Sequence, residues 1–365
     1  MAFAKAAVMT GVNQPFEIRE YELVPPPQGM AKLQLVASGV CGTDIHIHRG
    51  KIPVSTPTIP GHEFIGKVLE LSDQDSEKYG ISPGDHVIVY IACPCGGCLL
   101  CAEGDDANCV KMGLTNAGDP ETPPHFHGGF AEYNYSPVKN LIKIPAELDP
   151  KTVCIFSCAG PTVMHAFRLA ERANCQIPKM TTAVVQGLGP VGFFAVMYLA
   201  SLGLKNIAAI THGYDENRVE LAKKLGATEV FCLERDNVEN INNRVLELTG
   251  GLGADLVFEA SGNPQALCQG LEFLRNRGVY LVPGQYSNSG KADIMPQLIT
   301  FKALQIFGSS QYSVSDIEDY LKFICANPDT LATVRTLASE YKVTDINLAF
   351  EDAAEGRIIK TLLIP

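Results

Sequence analysis

Four cysteines, Cys95, Cys98, Cys101 and Cys109, follow one another at gaps of three, three and eight residues. Thiolates so spaced can close a tetrahedron around one zinc, and a single loop can supply all four. Gly96, Gly97 and Gly104 permit the tight turns that such a loop needs. A centre of this kind has no open position, so it would fold the loop and not catalyse. An iron–sulfur cluster competes for the same ligand set. Free or buried thiols are the ordinary alternative. Cys93, just upstream, is read as a bystander.

A second set is split along the chain. Cys41 precedes Gly42, Thr43, Asp44 and His46, while His62 and Glu63 stand in Pro60-Gly61-His62-Glu63-Phe64. Cys158 lies far downstream, where a helix is expected to start. Two cysteines and one histidine plus water make a catalytic zinc site, in which the metal polarises an alcohol oxygen so that hydride can leave the adjacent carbon. On spacing alone a lone buried Cys or His is commoner than a ligand. Asp44 is expected to orient His62 through the ring nitrogen that is not on the metal, or else to form a turn or cap. Thr43 can take the alcohol proton and pass it toward His46 and solvent. The plain alternatives are a cap for Thr43 and a surface residue for His46. Glu63 is read as a nearby carboxylate or occasional fourth ligand. His48, His125 and His127 are not read as ligands.

A third pattern, Gly187-Leu188-Gly189-Pro190-Val191-Gly192, follows an apolar run and opens a helical one. In that context it reads as a dinucleotide loop. Gly187 allows the turn, Gly189 lets backbone approach a pyrophosphate, and Gly192 lets helix and strand pack closely. A merely tight strand–helix turn is the alternative. The next strand ends Ile210-Thr211-His212-Gly213-Tyr214, with no acid where a carboxylate would hold the adenosine ribose of NAD. Thr211, His212 and Arg218 suit a 2'-phosphate instead, so the reading leans to NADP. Asp215 keeps NAD open.

These residues need a frame to hold them. The chain has 365 residues, which suits two domains. Up to about residue 150, short β-prone runs such as Lys32 to Val36 and His86 to Ile91 alternate with Gly- and Pro-rich loops. From Thr181 the rhythm changes to strand, helix, strand, with Thr181 to Gln186 as the first strand and Gly278 to Val282 as the last clear one. Pro264 to Arg275 reads as a helix. Such alternation produces a parallel sheet covered by helices. The tail from about Phe301 mixes both signals and is expected to return to the first domain. A formal charge of -11 lacks the basic surface that nucleic acid requires. No apolar run reaches transmembrane length, and the opening Met1 to Lys5 lacks the long apolar segment of a secretory leader. The cytoplasm is the expected location.

Taken together, Cys41-Gly42-Thr43-Asp44, Gly61-His62-Glu63, the Cys95/Cys98/Cys101/Cys109 cluster, Cys158 and the Gly187 loop, in that order, resemble the zinc-dependent medium-chain alcohol dehydrogenase family. The resemblance covers essentially the whole chain. It implies an α/β two-domain fold: a GroES-like β-rich catalytic domain (1–156), an inserted Rossmann cofactor-binding domain (157–303) and a C-terminal return (304–365). The active site would lie in the cleft between them. Two zincs per chain are implied, one on Cys41, His62 and Cys158, the other on the clustered cysteines. Lys360 matches a basic residue able to reach the pyrophosphate, with a solvated surface lysine as its alternative. Ile91, Phe130 and Met164 are expected to line the substrate site, though each could be core. Members are usually homodimers or homotetramers, and the compact length leans weakly to a tetramer.

The expected reaction is hydride transfer between a small alcohol, or its aldehyde or ketone, and NAD(P). A polyol, sugar-alcohol or threonine dehydrogenase shares the same machinery. Polyol enzymes of the family often carry Glu where this chain has Cys158, which counts modestly against that reading. A non-enzymatic cofactor-binding protein is the remaining alternative. Two features depart from the family pattern: the missing acid after the second strand and one extra residue in the following loop.

Overall fold

The segment Met30–Val40 alternates strictly at its start, with Ala31, Leu33 and Leu35 buried and Gln34 exposed. That period of two makes it a strand with one face on the core. It anchors the first of two compact units in the computed structural model, which describes residues 2–365. Met1, the first residue of the Met1 to Lys5 stretch read as lacking a leader's apolar segment, lies outside the described residues. Contacts divide the chain into one unit of residues 1–158 with 311–365 and another of residues 159–310.

The first unit is built on a mixed sheet. Met30–Val40 pairs antiparallel with Glu63–Glu70, which pairs with His86–Val89 and then Leu141–Lys143. On its other side lies Lys360–Ile364, with Ala338–Lys342 parallel beyond it. Tyr133–Pro137 pairs with the first half of Met30–Val40. One core cluster joins Leu33, Leu35, Phe64, Val87, Phe126, Tyr135 and Phe350. Phe130 belongs to it too: it is fully buried and meets Phe16 and Phe350 edge-on at 6.1 and 6.4 Å. The expectation that Phe130 lines a substrate site is therefore corrected. Its ring supplies core burial, worth roughly 1.5–3 kcal/mol for an apolar side chain of that size.

The second unit carries six parallel strands. Their order across the sheet is Glu229–Cys232, Asn206–Thr211, Thr182–Gln186, Ala254–Glu259, Leu274–Val282 and Gln305–Gly308. This order places the first strand in the middle, with a switch point beside it, the layout of a doubly wound dinucleotide fold. Central strands such as Thr182–Gln186 are buried along their whole length, as helices on both faces require. Two boundaries differ from expectation. The helix starting at Pro264 ends at Phe273, because Leu274 already enters the next strand. Gln305–Gly308 completes the parallel sheet through Val279 to Val282, so the chain leaves this unit after Ser310 and not at 303.

At the N-terminal end of the same sheet, Asp255 ties three segments. Its Oδ2 accepts from the Thr181 and Thr182 backbone N–H groups at 2.7 and 3.0 Å, and its Oδ1 accepts from Arg275 Nε at 2.6 Å.

Candidate active site and metal centres

Cys41 leaves the end of Met30–Val40, and His62 sits just before Glu63–Glu70. Gly39 pairs with Glu63, so antiparallel pairing brings both ligand candidates to one end of the sheet. Cys158 closes the first stretch of that unit, after the helix Pro150–Ile155. One donor atom each from Cys41, His62, Glu63 and Cys158 lies within 4.8 Å of the others. The set of two thiols, an imidazole and a carboxylate suits zinc.

Local geometry presets this group. Cys41 caps the short helix Gly42–His48, and Asp44 Oδ2 accepts the Cys41 backbone N–H at 2.9 Å. Asp44 Oδ1 lies 3.1 Å from His62 Nδ1, leaving Nε2 as the remaining ring nitrogen. A hydrogen bond from Cys158, with the His62 and Lys360 charges, holds the Cys41 thiol well below its ordinary value despite burial. Cys158 is pushed well up by Cys41 and by burial. Burial opposes a charged His62, but Asp44 and Cys41 outweigh it and raise the ring well above its usual range. The arrangement gathers negative charge where a cation would sit.

Thr43 Oγ1 stands 3.7 Å from Cys41 Sγ. His46 follows three residues later on the same short helix, half-buried, with its Nδ1 lacking a hydrogen-bond partner. Burial and the nearby Lys51 pull its pKa down. The helix thus sets a hydroxyl and an imidazole on one side, as i and i+3 residues do.

Lys360 is placed otherwise than expected. Its side chain and that of Glu63 are 2% and 1% exposed, and Nζ is paired with the Glu63 carboxylate. It is neither a solvated lysine nor a free arm for a pyrophosphate. Room for the pair comes from Gly39, where a Cβ would fall 1.8 Å from Glu63 Oε2. Burial raises the Glu63 carboxyl, and Lys360 opposes that rise. Lys360 is itself held above its ordinary value, because Glu63 and Cys41 outweigh its burial.

In the cysteine loop, one sulfur each from Cys95, Cys98, Cys101 and Cys109 lies within 4.8 Å of the others. Cys98 Sγ is 3.5 Å from Cys101 Sγ and 3.9 Å from Cys109 Sγ. Thiolates about 2.3 Å from a tetrahedral zinc stand roughly 3.8 Å apart, so the loop already has the right span. Backbone N–H groups of Cys101 and Val110 draw Cys98 down to about 6. The Cys95 and Lys111 N–H groups donate to Cys109 Sγ at 3.2 and 3.4 Å. Cys93 stays apart, with its thiol toward Asn140 Oδ1 at 3.6 Å.

In the second unit the glycine loop divides its labour. Gly187 has φ 96°, and a Cβ there would lie 2.8 Å from Ser261 Cα. A Cβ on Gly192 would fall 1.8 Å from Gly187 O. Gly189 caps the helix Pro190–Ser201 and faces open space. Leu188 is buried, whereas Pro190 and Val191 are half-buried in the first turn. Arg218 Nη1 donates to Leu188 O at 2.6 Å, so the guanidinium braces the loop from behind. Thr211 Oγ1 donates to Gly213 O at 3.2 Å, and His212 is exposed. Ile91 and Met164 are each 7% exposed; Met164 lies in the helix Ala159–Arg172.

Two further residues escaped the sequence reading. Glu234 Oε2 accepts the Tyr214 N–H at 3.2 Å, setting a carboxylate at the strand end where none was found in sequence. It arrives from the loop after the neighbouring strand Glu229–Cys232. Tyr312 is 4% exposed, its carbonyl accepts from Tyr90 Oη at 2.7 Å, and its phenol is raised well above its usual value by burial and by Cys158 and Glu63. No local motif announces either one.

The geometry has the parts of a metal-dependent oxidoreductase, and comparison with known proteins agrees. Residues 27–146 match the alcohol dehydrogenase GroES-like domain, and residues 190–326 match the zinc-binding dehydrogenase domain. The chain belongs to the zinc-dependent medium-chain alcohol dehydrogenases, oxidoreductases that move hydride between an alcohol or its carbonyl and a nicotinamide cofactor. It is 30% identical to a sorbitol dehydrogenase of Halalkalibacterium halodurans, with 96% of each chain covered. It is also 30% identical to an L-threonine 3-dehydrogenase of Bacillus subtilis, over 99% of this chain and 96% of that one. The solved alcohol dehydrogenase of Thermotoga maritima superposes with a TM-score of 0.90 at 27% identity, covering all of both chains. Among the described residues, no helix is long and apolar enough to cross a membrane.

Proposed function

We propose that Cys41, His62 and Cys158 hold a catalytic zinc and that the substrate is a small alcohol or its aldehyde or ketone. The observation that carries this is the convergence of those donors, with His62 already fixed by Asp44. Zinc bound there supplies a Lewis acid that lowers the pKa of a substrate hydroxyl. Asp44 orients the imidazole. Thr43 Oγ1 takes the hydroxyl proton and His46 passes it to solvent. Glu63 is an occasional fourth ligand. Cys95, Cys98, Cys101 and Cys109 hold a second, structural zinc.

The two compact units are read as the catalytic domain with its C-terminal return and the inserted cofactor domain. Gly187, Leu188, Gly189, Pro190, Val191 and Gly192 cradle the pyrophosphate at the helix N-terminus. NADP is the preferred cofactor, with Thr211, His212 and Arg218 around the 2'-phosphate. Glu234 favours the second reading, NAD, since its carboxylate stands at the strand end where a ribose is held. Ile91 and Met164 are proposed to line the apolar side of the substrate. The likeness to sorbitol and threonine dehydrogenases supports a polyol or amino-alcohol as the second substrate class. A homo-oligomer, dimer or tetramer, fits the open sheet edge at Gln305–Gly308, where Ile306 is exposed. The cytoplasm is the fitting compartment, since it keeps thiolate ligands reduced.

The test is nicotinamide absorbance across alcohols, polyols and carbonyl compounds with both cofactors, using zinc-loaded enzyme and Cys41→Ala. Turnover in the parent that disappears in the variant is the expected result. Turnover that survives Cys41→Ala would overturn the zinc assignment, and tighter binding of NAD than NADP would overturn the cofactor preference.

A further inference from the structure

Glu259 ends the strand Ala254–Glu259, next to the strand that feeds the glycine loop. The residue is fully buried. Its Oε1 accepts three hydrogen bonds: from Ser261 N at 2.8 Å, Ser261 Oγ at 2.6 Å and Gly262 N at 2.8 Å. Two successive backbone N–H groups and a hydroxyl converge on one oxygen, so the chain fills its own anion nest and folds residues 260–262 back over the strand end. Oε2 is sealed from solvent and has no hydrogen-bond partner. The Gln285 amide comes near but donates to Asn263 O at 2.9 Å.

The folded turn abuts the dinucleotide loop. Ala260 N donates to Gln186 O at 2.8 Å, and Ser261 backbone fills the space where a Gly187 Cβ would fall, 2.8 Å from its Cα. From the other side, Gly284 N donates to Glu259 O at 3.0 Å. A Cβ on Gly284 would lie 2.4 Å from Glu259 Oε2. The carboxylate holds the 260–262 turn, and the backbone of that turn and of Glu259 in turn meets the chain at Gly187 and Gly284. Burying a carboxylate with one oxygen unpartnered is costly, and burial raises its pKa. A core that needed only packing would be better served by an apolar residue.

The geometry points to Glu259 as a positioning residue for the nicotinamide dinucleotide: through the 260–262 turn it holds Gly187 at the height the bound cofactor requires. This rests on the proposal that the Gly187 loop binds that cofactor. Glu259 touches no substrate in this role, and its effect runs through the Ser261 and Gly262 N–H groups.

Zinc-loaded full-length protein would be titrated with NADPH and NADH by nucleotide fluorescence, with kcat, cofactor KM and Tm measured in parallel. Glu259→Ala raises the cofactor Kd and KM by at least about tenfold, the scale of a lost charge-assisted bond. Its kcat at saturating cofactor stays within about threefold, since ground-state positioning is what was lost. Glu259→Gln keeps an acceptor for both N–H groups and restores Kd to within about threefold of the parent. Gly284→Ala, whose Cβ would meet Glu259 Oε2 and the backbone at Glu259 O and Ala260 C, disturbs the same turn with the carboxylate kept, weakens the cofactor as Glu259→Ala does, and stands in if that variant fails to fold. Asp255→Asn, at the far end of the same strand, is the control for lost stability. Parental affinity in both Glu259→Ala and Gly284→Ala would overturn the inference. So would an equal loss of affinity in Asp255→Asn. A parent that binds neither dinucleotide would overturn the cofactor reading itself, and this inference with it.

Discussion

Asp44 holds His62 and Cys41 with one carboxylate, meeting His62 Nδ1 at 3.1 Å through Oδ1 and the Cys41 N–H at 2.9 Å through Oδ2. The side chain is 1% exposed, so neither bond competes with water. An Asn here can present its NH2 to Nδ1, forcing the proton onto Nε2 and removing that nitrogen as a ligand. Asp44→Asn is expected to weaken zinc at this site about 10–100-fold while the cysteine loop keeps its metal. Chelator competition with zinc counting reads both sites separately. Unchanged competition would show that the tautomer is set elsewhere.

The buried Glu63–Lys360 pair gives a stability prediction. Lys360→Met leaves an isolated carboxylate beside the metal residues, and breaking such a pair costs roughly 3–5 kcal/mol. Adding Glu63→Gln removes the lone charge, so the double variant should recover much of that loss. Urea unfolding of the four proteins gives the cycle. Simple additivity would mean that the two groups do not depend on each other.

The glycine loop separates binding from folding. Gly189→Ala meets open space at φ −83°, so Tm should hold while cofactor affinity falls. Gly192→Ala meets Gly187 O, so Tm should fall as well, by the equivalent of about 1–3 kcal/mol for an overpacked site. Thermal melts and cofactor titration distinguish the pair. Equal Tm losses would contradict the steric division.

Asp255 predicts a pH dependence. Burial alone would raise its carboxyl, but the Thr181 and Thr182 N–H groups and Arg275 hold it below the ordinary value. A carboxyl so lowered contributes stability that is complete above about pH 4, its unfolded value, and fades as pH falls through the folded one. Asp255→Asn should therefore lower Tm at neutral pH, and the gap from the parent should close below about pH 4. A gap independent of pH would assign the effect to packing.

Much of this was legible in sequence for a physical reason: the clues were local. The cysteine loop carries all four candidate ligands within one turn-rich stretch, and the glycine loop stands between a strand and a helix. The set proposed as catalytic was harder, because Cys41 and His62 become neighbours only through the Gly39–Glu63 register. Lys360 and Phe130 were misjudged where burial decided the outcome. In sequence Lys360 reads as an arm for the pyrophosphate, whereas Gly39 makes room for it beside Glu63. Phe130 reads as substrate lining, with core as its alternative, whereas Phe16 and Phe350 enclose it. Glu234 meets Tyr214 because the strands Asn206–Thr211 and Glu229–Cys232 are neighbours, which no short motif records.

The pairing of Lys360–Ile364 against Met30–Val40 also has a consequence for the order of events during synthesis. The cysteine loop and the six parallel strands are all made before that last strand emerges. The inserted unit draws on neighbours close along the chain and can form while translation continues. The first unit begins earliest and finishes last, since residues 38–40 of Met30–Val40 stay uncovered until Thr361 reaches Val40. On the nascent chain, the Val40 carbonyl and the Glu63 carboxylate both wait for the same ammonium until Lys360 is made.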